Sequence, residues 1–91
     1  MPNLGQILEY SLYFSAREGC PLEPVHVHVG YRPSNSNTKF WLLADGTLKL
    51  AQKSRDMSNK EARQIAELLE LRHADICDAW KDFFGEISFH D

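Results

Sequence analysis

Residues 39–52 read KFWLLADGTLKLAQ, and this stretch decides the fold that we predict for the chain. Two apolar segments, 39–44 and 47–52, have the composition of β-strands. Between them, Asp45 and Gly46 form the dipeptide that is typical of a two-residue type I′ hairpin turn. The sequence therefore predicts an antiparallel hairpin near the centre of the chain.

The length of this turn fixes which side chains share a face of the predicted sheet. With two residues in the turn, Leu43 lies opposite Leu48, and directly opposed residues point to the same side. One face is then strongly apolar, and we expect it to form the core: Trp41, Leu43, Leu48 and Leu50. The reverse face mixes apolar and polar residues: Phe40, Leu42, Thr47 and Lys49.

A second clear strand lies upstream of the hairpin, where residues 23–29 read EPVHVHV. Side chains alternate across a strand, so the three valines share one face while His26 and His28 share the opposite one. We predict a strand over 25–31 with its valines directed into the core. Alternating apolar residues predict a further strand over 7–16.

Downstream of the hairpin the pattern becomes helical. Ser58 and Glu61 have the spacing of a capping box, and apolar residues then recur every three or four positions. One unbroken helix over this whole segment would be about 40 Å long, which exceeds the diameter of a domain of this size. We therefore predict a break near residues 72–75, with helices over 59–72 and 74–84.

Two side chains in the helical region invite a functional interpretation, but each has a simpler structural one. His73 stands where an apolar residue is expected, and we predict that it caps the C-terminal end of the first helix, where a cation is favoured. Trp80 and the two phenylalanines that follow it are spaced as a buried helical stripe, so we expect them in the core rather than in a binding site.

Strands fill the first half of the chain and helices the second, which is typical of an α+β fold. With 91 residues, the chain is long enough for one domain, residues 1–91. We predict an antiparallel sheet of about four strands, with two C-terminal helices packed on one face.

Charge and composition disfavour several classes of partner. The net charge is −3, whereas nucleic-acid binding relies on a basic stripe, so a nucleic-acid partner is not expected. No apolar run approaches the ~20 residues that cross a bilayer, and the N-terminus lacks the features of a signal peptide. Cys20 and Cys77 match no zinc-binding spacing and are typical of reduced thiols. We therefore expect a cytoplasmic protein without a membrane partner.

The His-x-His pair is the main candidate for chemistry. Alternate strand positions place the His26 and His28 rings on one side, where both could bind a zinc-like metal. Spacing fixes no third ligand, and histidines also suit the wet face of a strand. The candidate surface that we predict combines these rings with neighbours on the same sheet face: His26, His28, Tyr13, Phe40 and Leu42.

Taken together, the motifs resemble a known family. Their order is YSLYF, EPVHVHV, KFWL, DG, then AW-x-x-FFG, and it is similar to the bacterial domain-of-unknown-function family 4160. Many members carry Pro-Pro before the first histidine, whereas this chain has Pro24-Val25, as in an EPVHVHV-type subgroup. The resemblance implies an α+β fold, a bacterial origin and no established reaction. Neighbouring genes of such proteins imply a two-component, toxin–antitoxin-like pair.

No complete catalytic constellation is present in the sequence, so we assign no catalytic residue and no cofactor. The preferred interpretation is an interaction module whose sheet face or edge binds another small protein or a second copy of itself. The alternative is a metal-dependent or acid–base enzyme that uses His26 and His28. Which of the two interpretations holds depends on the environment of the His26 and His28 rings in the fold.

Overall fold

A computed structural model describes residues 3–15 and 22–90. The described residues form one antiparallel sheet of five strands in the order β1-β2-β3-β4-β5, followed by two helices. The α+β class is confirmed, with one strand more than predicted. The strands are β1 (Asn3–Ile7), β2 (Tyr10–Tyr13), β3 (His26–Gly30), β4 (Thr38–Leu42) and β5 (Leu48–Gln52), and the helices are α1 (Asn59–Glu70) and α2 (His73–Phe84).

The strand predicted over 7–16 is instead the end of one hairpin arm, a turn and the other arm. Ile7 pairs directly with Tyr10, and the two residues between them form the turn. The first of these, Leu8, has a positive φ of 52°, which a leucine rarely adopts. The turn therefore lacks the Gly, Asn or Asp that would mark it in the sequence, and position 16 lies outside the described residues.

The β4–β5 hairpin exists, but its turn has three residues rather than two. Leu43 N–H donates to the carbonyl of Thr47 at 2.8 Å, and Gly46 N–H donates to the carbonyl of Leu43 at 3.2 Å. Gly46 has a φ of 93°, as expected for the left-handed residue that completes a three-residue loop. The extra residue shifts the pairing by one position, so that Leu42 lies opposite Leu48.

This shift reverses the predicted faces of β4. A one-residue change of register moves every side chain of a strand to the other side of the sheet. Phe40 and Leu42 are buried in the core at 2% and 0% exposure, so their predicted position on the histidine face is wrong. Trp41 lies on that face in their place. Leu50, opposite Phe40, points toward the helices yet is 43% exposed.

The helices cover the valine face of the sheet. Ser58 and Glu61 form the predicted capping box, and the predicted break is confirmed, because α1 ends at Glu70 and α2 begins at His73. Trp80 is fully buried and meets Phe14 edge to face at 5.1 Å, so its core position is confirmed, whereas Phe83 is 49% exposed and its predicted core position is wrong. Neither helix of the described residues is long and apolar enough to cross a membrane.

The sequence predicted that His73 caps the C-terminal end of the first helix, and this prediction is wrong. His73 is the first residue of α2, and its Nε2–H donates to the backbone carbonyl of Leu43 at 2.7 Å. The imidazole therefore ties the start of the second helix to the β4–β5 hairpin. This role depends on contacts between residues 30 positions apart, which a local capping argument does not consider.

Candidate functional site

The outer face of the sheet carries a group of stacked rings that we call the histidine cluster. It comprises Tyr13, His26, His28, Trp41 and His90. Because side chains alternate along β3, its valines enter the core while His26 and His28 project from the reverse face. The structure brings these two imidazoles together, with ring centroids 5.1 Å apart in an edge-to-face arrangement.

The remaining rings extend this contact on both sides. His28 stacks on Tyr13 at 5.1 Å, and His26 meets Trp41 edge to face at 5.3 Å. Trp41 in turn stacks on His90 at 4.6 Å. Sequence reasoning missed Trp41 and His90 as members of this cluster. The correct hairpin register would have placed Trp41 here, whereas no local signal marks His90, which arrives from the chain terminus.

His26 lies at the buried centre of the cluster. Its side chain has no exposed area, and its ring lies 5.1 Å from that of Trp80 in α2. A carbonyl oxygen can only accept, so His26 Nδ1–H donates to the carbonyl of Pro24 at 2.9 Å. This hydrogen bond orients the ring. His26 is therefore packed like a core residue, although it lies on the face opposite to the valines.

The segment after α2 closes part of the outer face. Val25 N–H donates to the carbonyl of Ser88 at 2.9 Å, so this segment runs beside the start of β3. Two residues later, His90 covers Trp41. Tyr13 is also nearly buried, at 7% exposure. The predicted candidate surface is thus a packed layer of rings. Two of its predicted members, Phe40 and Leu42, lie in the core instead.

The ammonium group of Lys39 lies at the rim of the cluster. Lys39 Nζ lies 4.3 Å from the centroid of the Trp41 ring and 3.4 Å from Glu23 Oε1. An ammonium group over an indole face is attracted by the negative charge density of the ring. Lys39 therefore extends the cover of Trp41, and Glu23 balances its charge.

The metal hypothesis finds no third ligand in the part of the chain that the structure describes. Within residues 3–15 and 22–90, no group of three or more His, Cys, Asp or Glu side chains could hold a metal ion. His26 and His28 are adjacent, but burial of His26 leaves little room for a further ligand. The metal hypothesis therefore stays a prediction.

A second pair of polar groups lies on α2. Cys77 Sγ is 3.8 Å from His73 Nδ1. Since His73 Nε2 carries the proton donated to Leu43, its Nδ1 accepts from the thiol in the neutral ring. Burial, and then the charge of Asp78, raise the pKa of the Cys77 thiol, which opposes formation of a reactive thiolate. Cys77 is a free thiol, whereas Cys20 lies outside the described residues.

The edge strand β5 is the surface that sequence reasoning missed. It is the last strand in the sheet order, so one side of its backbone has no neighbouring strand among the described residues. Residues 49–52 are all exposed, and among them Leu50 presents a large apolar side chain that is 43% exposed. Strand order is not encoded in any local pattern, so no feature of the sequence indicates that this strand stands at an edge.

The direction of the β5 backbone groups follows from the neighbouring ladder. Leu42 N–H donates to the carbonyl of Val25 at 3.1 Å, toward β3 and away from β5. In an antiparallel ladder, its partner Leu48 then directs its own N–H and C=O away from β4. Leu50, two positions further, has the same orientation. The edge thus offers two N–H and two C=O groups to a strand lying alongside.

The regular part of this edge is short. Lys39 pairs with Gln52 while Phe40 pairs with Leu50, so Ala51 is an extra residue that forms a bulge in β5. Bulges at edge strands bend the ladder and limit indiscriminate pairing. The edge from Leu48 to Leu50 is therefore open but restricted to a short partner segment.

Comparison with known proteins gives a family but no function. A family model described as "Domain of unknown function (DUF4160)" matches residues 10–81, which is more than half of the chain. No curated protein and no solved structure matches. The match covers the histidine cluster up to Trp41, the whole β4–β5 hairpin and both helices except the last turn of α2.

Proposed function

The chain belongs to the DUF4160 family, a domain of unknown function, and from its structure we propose that it is an interaction module whose β5 edge accepts a strand of another protein. The observation that supports this proposal is a difference in burial between two residues that are paired in one strand ladder. Phe40 of β4 is buried, while Leu50 directly opposite it in β5 is 43% exposed. An apolar side chain beside an open strand edge is typical of a surface completed by a partner.

The backbone of the edge fits strand addition. The N–H and C=O groups of Leu48 and Leu50 point outward two residues apart, which is the spacing at which an antiparallel neighbour exchanges hydrogen bonds. A partner strand there would satisfy all four groups. An apolar side chain on that strand would also cover Leu50, and this combination gives β-strand addition its affinity and its specificity.

We favour a foreign strand over a second copy of the chain because of Lys49. If two β5 strands paired so that Leu48 of one bonded Leu50 of the other, Lys49 would stand directly opposite Lys49 of the second copy. Like charges in directly opposed positions destabilise a strand pair. The bulge at Ala51 leaves few other registers. The partner that fits is an extended segment with an acidic residue facing Lys49.

The same proposal extends to the cellular setting. We place the protein in the bacterial cytoplasm, as one half of a two-protein, toxin–antitoxin-like pair in which the foreign strand belongs to the other half. The free thiol of Cys77 supports a reducing compartment. The enzyme alternative has less support, because His26 is buried and bonded to Pro24, where it cannot easily reach a substrate.

The experiment compares the affinities with which β5 variants bind the partner. The tagged full chain captures its partner from the host, and the purified pair is then titrated by calorimetry. Leu50→Pro removes an outward N–H, while Leu50→Ala keeps that N–H and removes only the side chain. Lys49→Glu reverses the charge that faces the partner strand. Lys60→Glu makes the same charge change on the exposed surface of α1 and serves as the control.

We expect Leu50→Pro and Lys49→Glu each to weaken binding about tenfold or more, since each removes roughly 1.4 kcal/mol or more of interaction. Leu50→Ala should fall between these variants and the control. Light scattering of the chain alone should show a monomer. Undiminished binding by Leu50→Pro would contradict the proposal, and a stable dimer of the chain alone would replace the foreign strand with a second copy.

A further inference from the structure

We propose that the clefts beside the β3–β4 loop form one binding site for a nucleotide, at the end of the sheet away from the Asp45 turn. Two open clefts, of about 230 Å³ and 440 Å³, lie on either side of Ser36, Ser54 and Asp56, which line both. Small-molecule sites usually occupy roughly 300–1,000 Å³. The chemistry of each cleft suits a different part of the same ligand.

The loop that bounds both clefts is held in one conformation. The Tyr13 hydroxyl accepts from Asn37 Nδ2 at 2.7 Å and from Ser34 N–H at 3.3 Å. Gln52 Nε2 donates to the carbonyls of Asn35 and Asn37 at 2.8 and 2.7 Å. Strands on both sides therefore fix this serine- and asparagine-rich loop. A loop ordered before binding loses less conformational entropy when a ligand arrives.

A glycine permits this arrangement. The Asn37 side chain occupies the space next to Gly30, and a Cβ added at Gly30 would overlap its amide group. Asn37 Nδ2 also donates to the carbonyl of Arg32. The close approach of Asn37 to the β3 backbone thus sets the path of the loop from Arg32 to Asn37, and any side chain at Gly30 would displace it.

The smaller cleft suits a planar base. Tyr10 and Met57 line it, and Tyr31 stands at its side with 59% of its surface exposed. The Tyr31 ring lies 4.8 Å from that of Tyr10, which itself is fixed by a hydrogen bond from its hydroxyl to Glu61 Oε2 at 3.4 Å. An exposed aromatic ring supported from behind is a platform on which a base can stack.

The larger cleft suits the phosphate. Lys53 and Arg55 line it together with the amides of Asn35 and Gln52. Lys53 Nζ is held in place by the carbonyls of Met57 and Ser54, at 2.7 and 3.3 Å. In the described part of the chain, no carboxylate forms a salt bridge with Arg55. Both cations line this cleft although the chain has a net charge of −3. Guanidinium groups bind phosphate through paired hydrogen bonds.

Asp56 discriminates between a nucleotide and a simple anion. Its side chain is exposed and lines both clefts, between the tyrosine and the cations. A carboxylate at that point accepts hydrogen bonds from ribose hydroxyls but repels a bare phosphate ion. The site therefore favours a ligand that carries base, sugar and phosphate together over inorganic phosphate alone.

The test is an NMR titration of the full chain with adenosine 5′-monophosphate, inorganic phosphate and a single-stranded adenine tetranucleotide of RNA. We expect the monophosphate to shift backbone amides in residues 31–37 and 53–57. Tyr31→Ala and Arg55→Gln should each weaken its binding by about tenfold, the effect of losing one stacking or one phosphate contact. Tyr31→Phe should retain stacking, and Arg63→Gln, on the exposed side of α1, is the charge-matched control.

The two sources of the ligand give different results. If the tetranucleotide binds about tenfold tighter than the monophosphate, the nucleotide belongs to RNA, and if it binds equally or more weakly, it is a free nucleotide. Either result supports the site. Absence of shifts in both loop segments at millimolar monophosphate, or inorganic phosphate binding as tightly as the monophosphate, overturns it. Neither outcome affects the β5 proposal, which is tested by different variants.

Discussion

Strands β3 and β5 belong to the same sheet, yet their side chains meet opposite environments. In β3, at the centre of the sheet, His26 is fully buried on one face and Val27 on the other. In β5, at the edge, Leu50 is 43% exposed although it faces the helical layer. The strand that carries two histidines is therefore buried, whereas the edge strand, which also carries two polar residues, is exposed. Position in the strand order thus contributes to burial in this sheet in addition to side-chain polarity.

The difference follows from what each strand has beside it. The imidazole of His26 is surrounded by rings from β3, β4 and α2, and its Nδ1–H has a carbonyl acceptor, so it is buried without losing that hydrogen bond. Within residues 3–15 and 22–90, Leu50 has a strand on one side only. A buried histidine can thus be structural, while an exposed leucine marks the surface where a partner can add.

The largest effect that we expect comes from the directly opposed pair Phe40 and Leu50. Phe40→Ala should lower the free energy of unfolding by about 3–5 kcal/mol, because it leaves a cavity in the core. Leu50→Ala should lower it by less than about 1 kcal/mol, because the side chain is already half in water. Urea unfolding followed by circular dichroism measures both. Equal losses for the two variants would remove the contrast between the core and the edge.

The second prediction sharpens the contrast within β3 itself. His26→Ala should lower the free energy of unfolding by about 2–3 kcal/mol, since it opens a cavity among the rings and leaves the Pro24 carbonyl without its donor. His28→Ala should cost about 1 kcal/mol, because His28 is half-buried and stacks on Tyr13. The same unfolding measurement applies. A His26→Ala variant as stable as the parent would mean that the cluster is not a packed layer.

The third prediction concerns the turn that sets the register of β5. Gly46→Ala should lower the free energy of unfolding by about 1 kcal/mol, because alanine resists a positive φ. No atom would clash with the added Cβ, so the cost is purely conformational. Gly46→Asn is the control, since asparagine tolerates this conformation, and it should cost less. If both substitutions cost the same, the three-residue turn with its left-handed Gly46 is not the conformation in solution.

The smallest effect is a pH dependence at the same turn. The hydroxyl and then the backbone N–H of Thr47 donate to Asp45 Oδ1 at 2.6 and 3.0 Å, and they hold the pKa of the Asp45 carboxyl below its ordinary value of 3.8. A group with a lowered pKa in the folded state stabilises the protein above its unfolded pKa. That contribution is lost as pH falls through the folded pKa.

We therefore expect the stability of the parent to decline more steeply below about pH 4 than that of Asp45→Asn. Thr47→Ala removes the hydroxyl donor, so it should return the Asp45 pKa part of the way to its ordinary value. Carbon-detected NMR titration of the Asp45 carboxyl group measures the shift directly. A pKa unchanged by Thr47→Ala would show that the hydroxyl is not the main cause.

Much of the fold could be predicted because its signals are local. The capping box at Ser58, the valine alternation in β3 and the excess length of a single helix all depend on neighbouring residues. The turn at Leu8 could not be predicted, because leucine is a poor turn residue. The register of the β4–β5 hairpin could not be fixed either, since Asp45 and Gly46 suit a two-residue turn and a three-residue turn alike.

The candidate site was harder to predict, because its members come from distant parts of the chain. Local alternation correctly joined His26 to His28. It could not show that His26 would contact Trp80 of α2 or that His90 would cover Trp41, nor that β5 would stand at the edge. The predicted surface contained Phe40 and Leu42 because the predicted register was shifted by one residue, and that single shift placed these two side chains on the wrong face of the sheet.

The most direct test of the central claim, that β5 is an open edge completed by a partner strand, is amide hydrogen exchange measured by NMR on the free chain and on the captured complex. In the free chain, the Leu48 and Leu50 amides should exchange fast, whereas the Leu42 amide, bonded to Val25, should be protected. In the complex, Leu48 and Leu50 should become protected as well. Protection of these two amides in the free chain, or no gain of protection in the complex, would contradict the account.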